Sequence, residues 1–197
     1  MRKKLATRRA LHEAALRLVL ERGIERVTVE EISAAANVSA RTFFNYFASK
    51  EQAVLGDMIA IDPERTAAAI ASAPTVLDGL REVALAVAGD TAPEREQVLM
   101  RWQVMERNPA LLPHMFARFM EFDQVVASAL AARTGTRPDD AYPQLGAAMA
   151  GTALRIAVRR WTLGQGGHPL EYHVNEVFGL LGPALPETGQ PAEGETT

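Results

Sequence analysis

The sequence predicts an all-α fold: a small N-terminal three-helix unit followed by a larger helical body. Three observations predict it. Apolar residues recur at three- and four-residue spacing along most of the 197-residue chain. No stretch of any length alternates apolar and polar residues as a strand would. Gly, Pro and the capping residues Ser, Thr, Asp and Asn interrupt the apolar stripes at helix-length intervals, marking about nine or ten helices.

The first helix is expected over Leu5 to Glu21, with Ala10, Leu11, Ala14, Ala15, Leu18 and Val19 on one stripe. Gly23 ends it, because glycine enters the left-handed region without a Cβ penalty. Thr28 then caps a second helix, and Glu31 three residues on completes a capping box. Val29, Ile32 and Ala36 follow at helical spacing. Asn37 closes that helix, since Asn tolerates the left-handed conformation. Val38 tucks inward, and Ser39 caps a two-turn helix, Ala40 to Phe47. Phe43 and Phe47, four apart, point into the core, leaving Arg41, Thr42, Asn45 and Tyr46 on the other faces. Small Ala34 and Ala35 are expected to let the two helices lie close together. Two short helices joined by a tight turn at a steep angle make a helix-turn-helix.

The body follows. Lys50 opens a fourth helix, with Val54, Leu55, Met58 and Ile59 apolar, stopping near Asp62. Pro63 suits the first position of a short helix, whose Ala-rich part, Ala67 to Ala73, ends before Pro74. Thr75 caps a helix to about Ala88 that buries Leu77, Leu80, Val83 and Leu85. Another starts at Pro93 and ends at Asn108-Pro109. A long helix from Ala110 to Arg133 carries Leu112, Met115, Phe116, Phe119, Met120, Phe122, Val126 and Leu130, and Gly135 ends it. Asp139 or Asp140 opens a helix to Leu163 that is unusual for its small residues between Gly146 and Ala157. After Gly166-Gly167, Pro169 to Leu181 is the last helix. Beyond Pro186 the tail has nothing large and apolar to bury and is expected to be disordered. The expected division is residues 1–49, 50–185 and the tail 186–197.

Charge separates the two parts. The net charge is −3, which alone argues against a nucleic-acid partner. Residues 1–50, however, hold ten Lys or Arg against five Asp or Glu, and the remainder holds eleven against nineteen. A head at +5 on a body at −8 forms a local footprint for phosphate. Arg2, Lys3 and Lys4 leave two readings open: a flexible arm lying in a minor groove or on phosphates, or a solvated tail.

The second helix of the motif is expected in the DNA major groove. Arg41 can offer two donors to guanine, Thr42 can touch a thymine methyl or a phosphate, and Asn45 a base edge or a phosphate. Tyr46 and Lys50 serve as backbone clamps, and Ser39 and Thr28, at helix N-termini, complete the set.

The run VTVEEISAAANVSARTFFNYFASKEQAV, with the helix before it, resembles the amino-terminal domain of the TetR family of bacterial transcriptional regulators. Phe47, Ser49, Lys50 and Glu51 fit the family pattern closely, and the motif covers about a quarter of the chain. Two departures stand out. The family often has Tyr at the place of Phe44, where its hydroxyl meets a phosphate, and Lys, Arg or Gly around Ala40 and Arg41. With no charge at Ala40, more weight falls on Arg41.

The resemblance implies a cytoplasmic homodimeric repressor on a palindromic double-stranded operator, with an interface built from the last two helices of each subunit. Gly146, Ala150, Val174, Val177, Phe178 and Leu181 are the expected interface residues. The competing reading packs both faces within one subunit. The resemblance also implies a pocket for a small apolar effector in the body. Trp102, Met105, Phe116, Phe119, Met120 and Met149 are its expected lining, although such a stripe also serves as plain core. The run VMERNPALLPHMFARFMEFDQVVASALAARTG is similar to regulators of acyl-CoA-like ligands. An acidic head would then meet Arg118 or Arg155, unless these pair with Glu106 or Glu121. The fourth helix, Lys50 to Ile61, would couple head to body.

Enzyme chemistry finds little support. There is no Cys, hence no thiolate nucleophile, disulfide or Cys metal site. His12, His114, His168 and His173 lack metal-ligand spacing, and Gly164, Gly166 and Gly167 form a turn rather than a phosphate loop. No run of about 18 apolar residues spans a membrane, and the N-terminus carries His12, Glu13 and Arg17 where a signal peptide would be apolar. No cofactor or metal is expected. The remaining alternatives are an activator or partner-controlled DNA-binding protein of the same fold, and a helical enzyme or carrier using the apolar cavity.

Overall fold

The computed structural model describes residues 2–56, 59, 61–91, 95–164 and 167–182, and the described regular structure is helical throughout. Ten α-helices run α1 (Arg2–Arg22), α2 (Val29–Ala35), α3 (Ala40–Phe44), α4 (Lys50–Leu55), α5 (Pro63–Ser72), α6 (Val76–Thr91), α7 (Arg95–Arg107), α8 (Leu112–Thr134), α9 (Ala141–Thr162) and α10 (Leu170–Gly179). The chain divides into two compact units, one of Met1–Met58 with Pro93–Ala117, the other of Ile59–Ala92 with Arg118–Thr197. The expected disordered tail lies outside the described residues.

The first unit, the head, is built on α1. Leu11, Ala15, Leu16 and Val19 are buried on its inner face against Ile32 of α2, Phe43 of α3 and Val54 of α4. Val104 of α7 and Leu111 join the same core. Helix α7 was expected as a body element, so the head recruits it across a long stretch of sequence. The helix stops are local chemistry: Gly23 sits at φ 82° and Asn37 at φ 55°, both as their residue types predict. Three expectations are corrected. Helix α1 begins at Arg2, so Lys4 lies on a helix rather than on a flexible arm. Ala34 and Ala35 are exposed, and Ile32 of α2, Phe43 of α3 and Val38 of the turn join the head core instead. Helix α4 ends at Leu55, because Gly56 takes φ 58° and turns the chain out of the helix.

The second unit, the body, buries Ile70, Leu80, Val83, Phe122, Val126, Leu130, Ala150, Leu154, Val174 and Phe178 in one core from α5, α6, α8, α9 and α10. Asp62 caps α5 by accepting from the backbone N–H groups of Glu64 (2.9 Å) and Arg65 (3.0 Å), with Pro63 at the first position as expected. At its other end the Arg133 guanidinium of α8 donates to the carbonyls of Ile70 (2.6 Å), Ala73 (2.8 Å) and Pro74 (3.2 Å), which helix geometry leaves without intrahelical partners. Gly151 of α9 faces Phe122, where an added Cβ would stand 3.5 Å from the ring. The small residues of α9 thus admit this chain's own helix.

Candidate nucleic-acid interface

The α2–turn–α3 unit is held by side chains that cap its helices. The Thr28 hydroxyl accepts from the Glu31 N–H (3.2 Å) while the Glu31 carboxylate accepts from the Thr28 N–H (2.9 Å), the reciprocal capping box. That backbone hydrogen bond, with help from the Thr28 hydroxyl and Arg22 (2.9 Å), holds the Glu31 carboxyl below the usual carboxylate range. Because its folded value is lowered, its contribution is present at neutral pH and is lost as pH falls through that lowered value. Ser39 accepts from the Thr42 N–H (3.1 Å), and the Ser39 and Thr42 hydroxyls lie 2.9 Å apart. Removing this cap with Ser39→Ala is expected to cost about 1 kcal/mol of head stability, read by urea titration.

Phe43 and Phe47 are buried, with ring centroids 5.9 Å apart, and orient α3 on the core. What then faces solvent is Arg41 and Phe44 of α3, which ends three residues before the expected Phe47, and its C-cap Asn45, with Thr42 and Tyr46 half-buried beside them. Arg41 carries no ion pair or hydrogen bond among the described residues, so its five donors are available for a base edge or a phosphate. Phe44 is 57 % exposed and stacks edge-on against Phe43 at 5.4 Å, presenting an apolar ring where the family pattern carries a hydroxyl. The Tyr46 carbonyl accepts from Arg8 (3.0 Å), whose guanidinium also lies 4.6 Å from the Phe47 ring centre, fixing the end of the motif to α1.

Lys50 is placed differently from its expected clamp position. Its ammonium donates to the carbonyls of Ile24 (2.8 Å) and Val27 (3.1 Å), so two of its three donors hold the loop that leads into Thr28. Asn108, which sequence reasoning missed, anchors the same loop. Its Oδ1 accepts from the Ile24 N–H (2.8 Å), and its Nδ2 donates to Val104 O (2.6 Å). Only its place before Pro109 could have hinted at a special role.

The expected effector residues fall in two places. Trp102, Met105 and Phe116 belong to the head unit, where Met105 is buried, Trp102 half-buried and Phe116 63 % exposed. Phe119, Met120 and Met149 belong to the body; Met120 is 57 % exposed and Met149 packs on the body core. None of the six lines either of two concavities found within the units. One, about 190 Å³, lies in the body between α5 and α6 and is lined by Asp62, Arg65, Thr66, Glu82 and Val83. The other, about 530 Å³, lies in the head along α1 and α7 and is lined by Glu13, Arg17, Asn37, Gln97 and Met100. Arg118 pairs with Glu121 (2.9 Å), which realises the surface-pair alternative. Arg155 lies 5.8 Å from the Phe119 ring centre, and burial pushes the nearby Asp123 carboxyl up while Arg155 draws it down.

Gly146, Ala150, Val174, Val177 and Phe178 are buried within the subunit, and Leu181 packs half-buried on the same core. Their outward neighbours on α9, Leu145, Ala148, Thr152 and Ile156, form an exposed stripe at helical spacing, with Tyr172 and Asn175 exposed on α10. Among the described residues no group of three or more His, Asp or Glu is placed to hold a metal ion, and no helix is long and apolar enough to cross a membrane.

Two family models match the chain: "Bacterial regulatory proteins, tetR family" over residues 11–55 and "MftR C-terminal domain" over residues 74–186. The chain is similar to the HTH-type transcriptional regulator TcmR of Streptomyces glaucescens, 34 % identical over 172 residues that cover 82 % of this chain and 76 % of TcmR. Among solved structures it is similar to Thermus thermophilus FadR in complex with lauroyl-CoA, with TM-score 0.55, 25 % identity and coverage of 94 % of this chain and 99 % of that one. The secondary repressor NalD of Pseudomonas aeruginosa shares the fold at TM-score 0.56 and 17 % identity, covering 92 % of this chain and 96 % of NalD. These families and relatives are transcriptional regulators, not enzymes.

Proposed function

Because this chain belongs to the TetR family of bacterial transcriptional regulators, we propose that it is a homodimeric repressor that binds a palindromic operator and is released by a small apolar effector. The observation that carries the reading is the exposed outer face of α3, with an uncommitted Arg41 beside Thr42, Phe44 and Asn45 on a rigid, capped scaffold. Arg41 reads guanine, and a well-placed bidentate contact of this kind contributes about 1–3 kcal/mol of discrimination. Thr28, Ser39 and Tyr46 meet backbone phosphates, while Lys50 acts chiefly from within, holding the loop that presents Thr28. A single short helix reads only a few base pairs, so two copies are needed for a specific site.

The second copy docks on the outward stripe of α9 and α10. The residues first expected there are the buried layer beneath it, and Leu145 and Ile156 supply the apolar contact. The effector is an acyl thioester. The support is the lauroyl-CoA held by Thermus thermophilus FadR, together with the apolar side chains of α8 and the Arg155 guanidinium, which donates to the Thr152 hydroxyl at a long 3.4 Å and suits an acidic head.

Selection of genomic fragments by the purified chain tests this reading. One palindromic motif should be enriched, and lauroyl-CoA should release it. Affinity should fall with salt, with a log–log slope of roughly −0.9 per phosphate neutralised. A motif that lauroyl-CoA leaves bound would favour the activator or partner-controlled alternative. No enrichment at all would remove the DNA-binding reading.

A further inference from the structure

One buried polar chain in the head lies outside the reading face. His12 of α1 and Arg101 of α7 are 8 % and 6 % exposed. The His12 Nδ1 lies 2.7 Å from the carbonyl oxygen of Ala53, and its Nε2 lies 3.3 Å from Arg101 Nη2. The partners fix the proton. A carbonyl only accepts and a guanidinium only donates, so Nδ1 carries the hydrogen and Nε2 presents its lone pair. The ring is therefore directional, running from Arg101 N–H to Nε2 and from Nδ1–H to Ala53 O.

Ala53 lies in the last turn of α4, where the carbonyls have no intrahelical donor. Helix α4 ends at Leu55, and Gly56 at φ 58° is its cap. His12 supplies a donor to the Ala53 carbonyl from another helix. Gly56 also makes room for it: a Cβ there would stand 2.7 Å from the His12 ring carbon Cε1 and 2.8 Å from Nδ1. Ending α4 and admitting the imidazole thus depend on the same glycine.

We propose that His12 is a positioning residue for DNA binding: it caps α4 from α1, and Arg101 sets its orientation, so that α7 controls where α4 ends. Displacement of Arg101 leaves the Nε2 acceptor buried without that donor, loosens the cap on Ala53 and lets α4 shift under α1. Operator affinity then falls while base preference stays, because no residue of the relay lies on α3. The inference rests on the DNA-binding reading for its functional consequence, and its structural part stands apart from it.

The test compares the full chain with Arg101→Met, His12→Ala and His12→Asn, the last keeping a donor for Ala53. Amide exchange is followed over residues 50–56 and over α2, with circular dichroism to confirm folding. Arg101→Met and His12→Ala are expected to speed exchange over 50–56 by about fivefold or more while α2 is unchanged. His12→Asn should recover part of that protection. On the selected operator, Arg101→Met should weaken binding by about tenfold with the same preferred bases. Unchanged exchange over 50–56, or an equal rise across the whole head, would overturn the relay. Faster exchange with unaltered operator affinity would overturn its role in DNA binding. If the wild-type chain selects no operator, the DNA-binding reading fails, and the exchange result still decides whether the relay exists.

Discussion

Phe43→Ala is expected to unfold the reading head, costing about 3–5 kcal/mol. Phe43 is fully buried between α1 and α4, touches Phe44 and Phe47 edge-on and at a tilt, and sits in the centre of the head core. Truncation leaves a cavity in a unit too small to relax around it, because its other anchors, Ile32, Leu16 and Val54, are fixed on three separate helices. Thermal or urea unfolding followed by circular dichroism measures this directly. Phe44→Ala is the control: with its ring mostly in solvent, it is expected to change stability by no more than about 0.5 kcal/mol. Equal losses for the two variants would mean that α3 is packed on its other face, and the assignment of the reading surface would fail with it.

Ile156→Glu is expected to separate the proposed dimer. Ile156 is 43 % exposed in the single chain and lies on the same line of α9 as Leu145, Ala148 and Thr152. A two-fold interface uses the same patch twice, so one substitution buries two carboxylates without partners. Sedimentation should show the mass fall from twice the chain to once the chain, with helix content unchanged. Operator affinity should drop by about a hundredfold or more, the avidity lost when two half-site readers are no longer joined. A variant that remains dimeric would place the second copy on another face. A wild-type chain that is monomeric at micromolar concentration would dispose of the dimer altogether.

The features legible in the sequence are those whose chemistry is local. The capping box of Thr28 and Glu31, the cap at Ser39, the stop at Gly23 and the left-handed Asn37 each follow from residues within four positions of one another. Phe43 and Phe47 were readable for the same reason. The sequence conceals what depends on distant partners. Lys50 looks like a surface cation until Ile24 and Val27 come within its reach, 26 and 23 residues away. His12 and Arg101 are 89 residues apart, and nothing local marks either as buried. Small residues on α9 carry the same ambiguity: Gly151 signals that some helix approaches closely, and only the fold tells that it is α8 of the same chain. The apolar spacing of α4 continues past Gly56, whereas the helix itself ends at Leu55.

The central claim is that the outer face of α3 reads DNA through Arg41. The measurement that tests it most directly is the fragment selection repeated with Arg41→Ala beside the wild-type chain. The account predicts that the variant folds normally, still binds DNA at low salt, and loses its preference at one guanine in each half-site, a change of about 1–3 kcal/mol per contact. An identical motif selected with equal strength by the variant would contradict it.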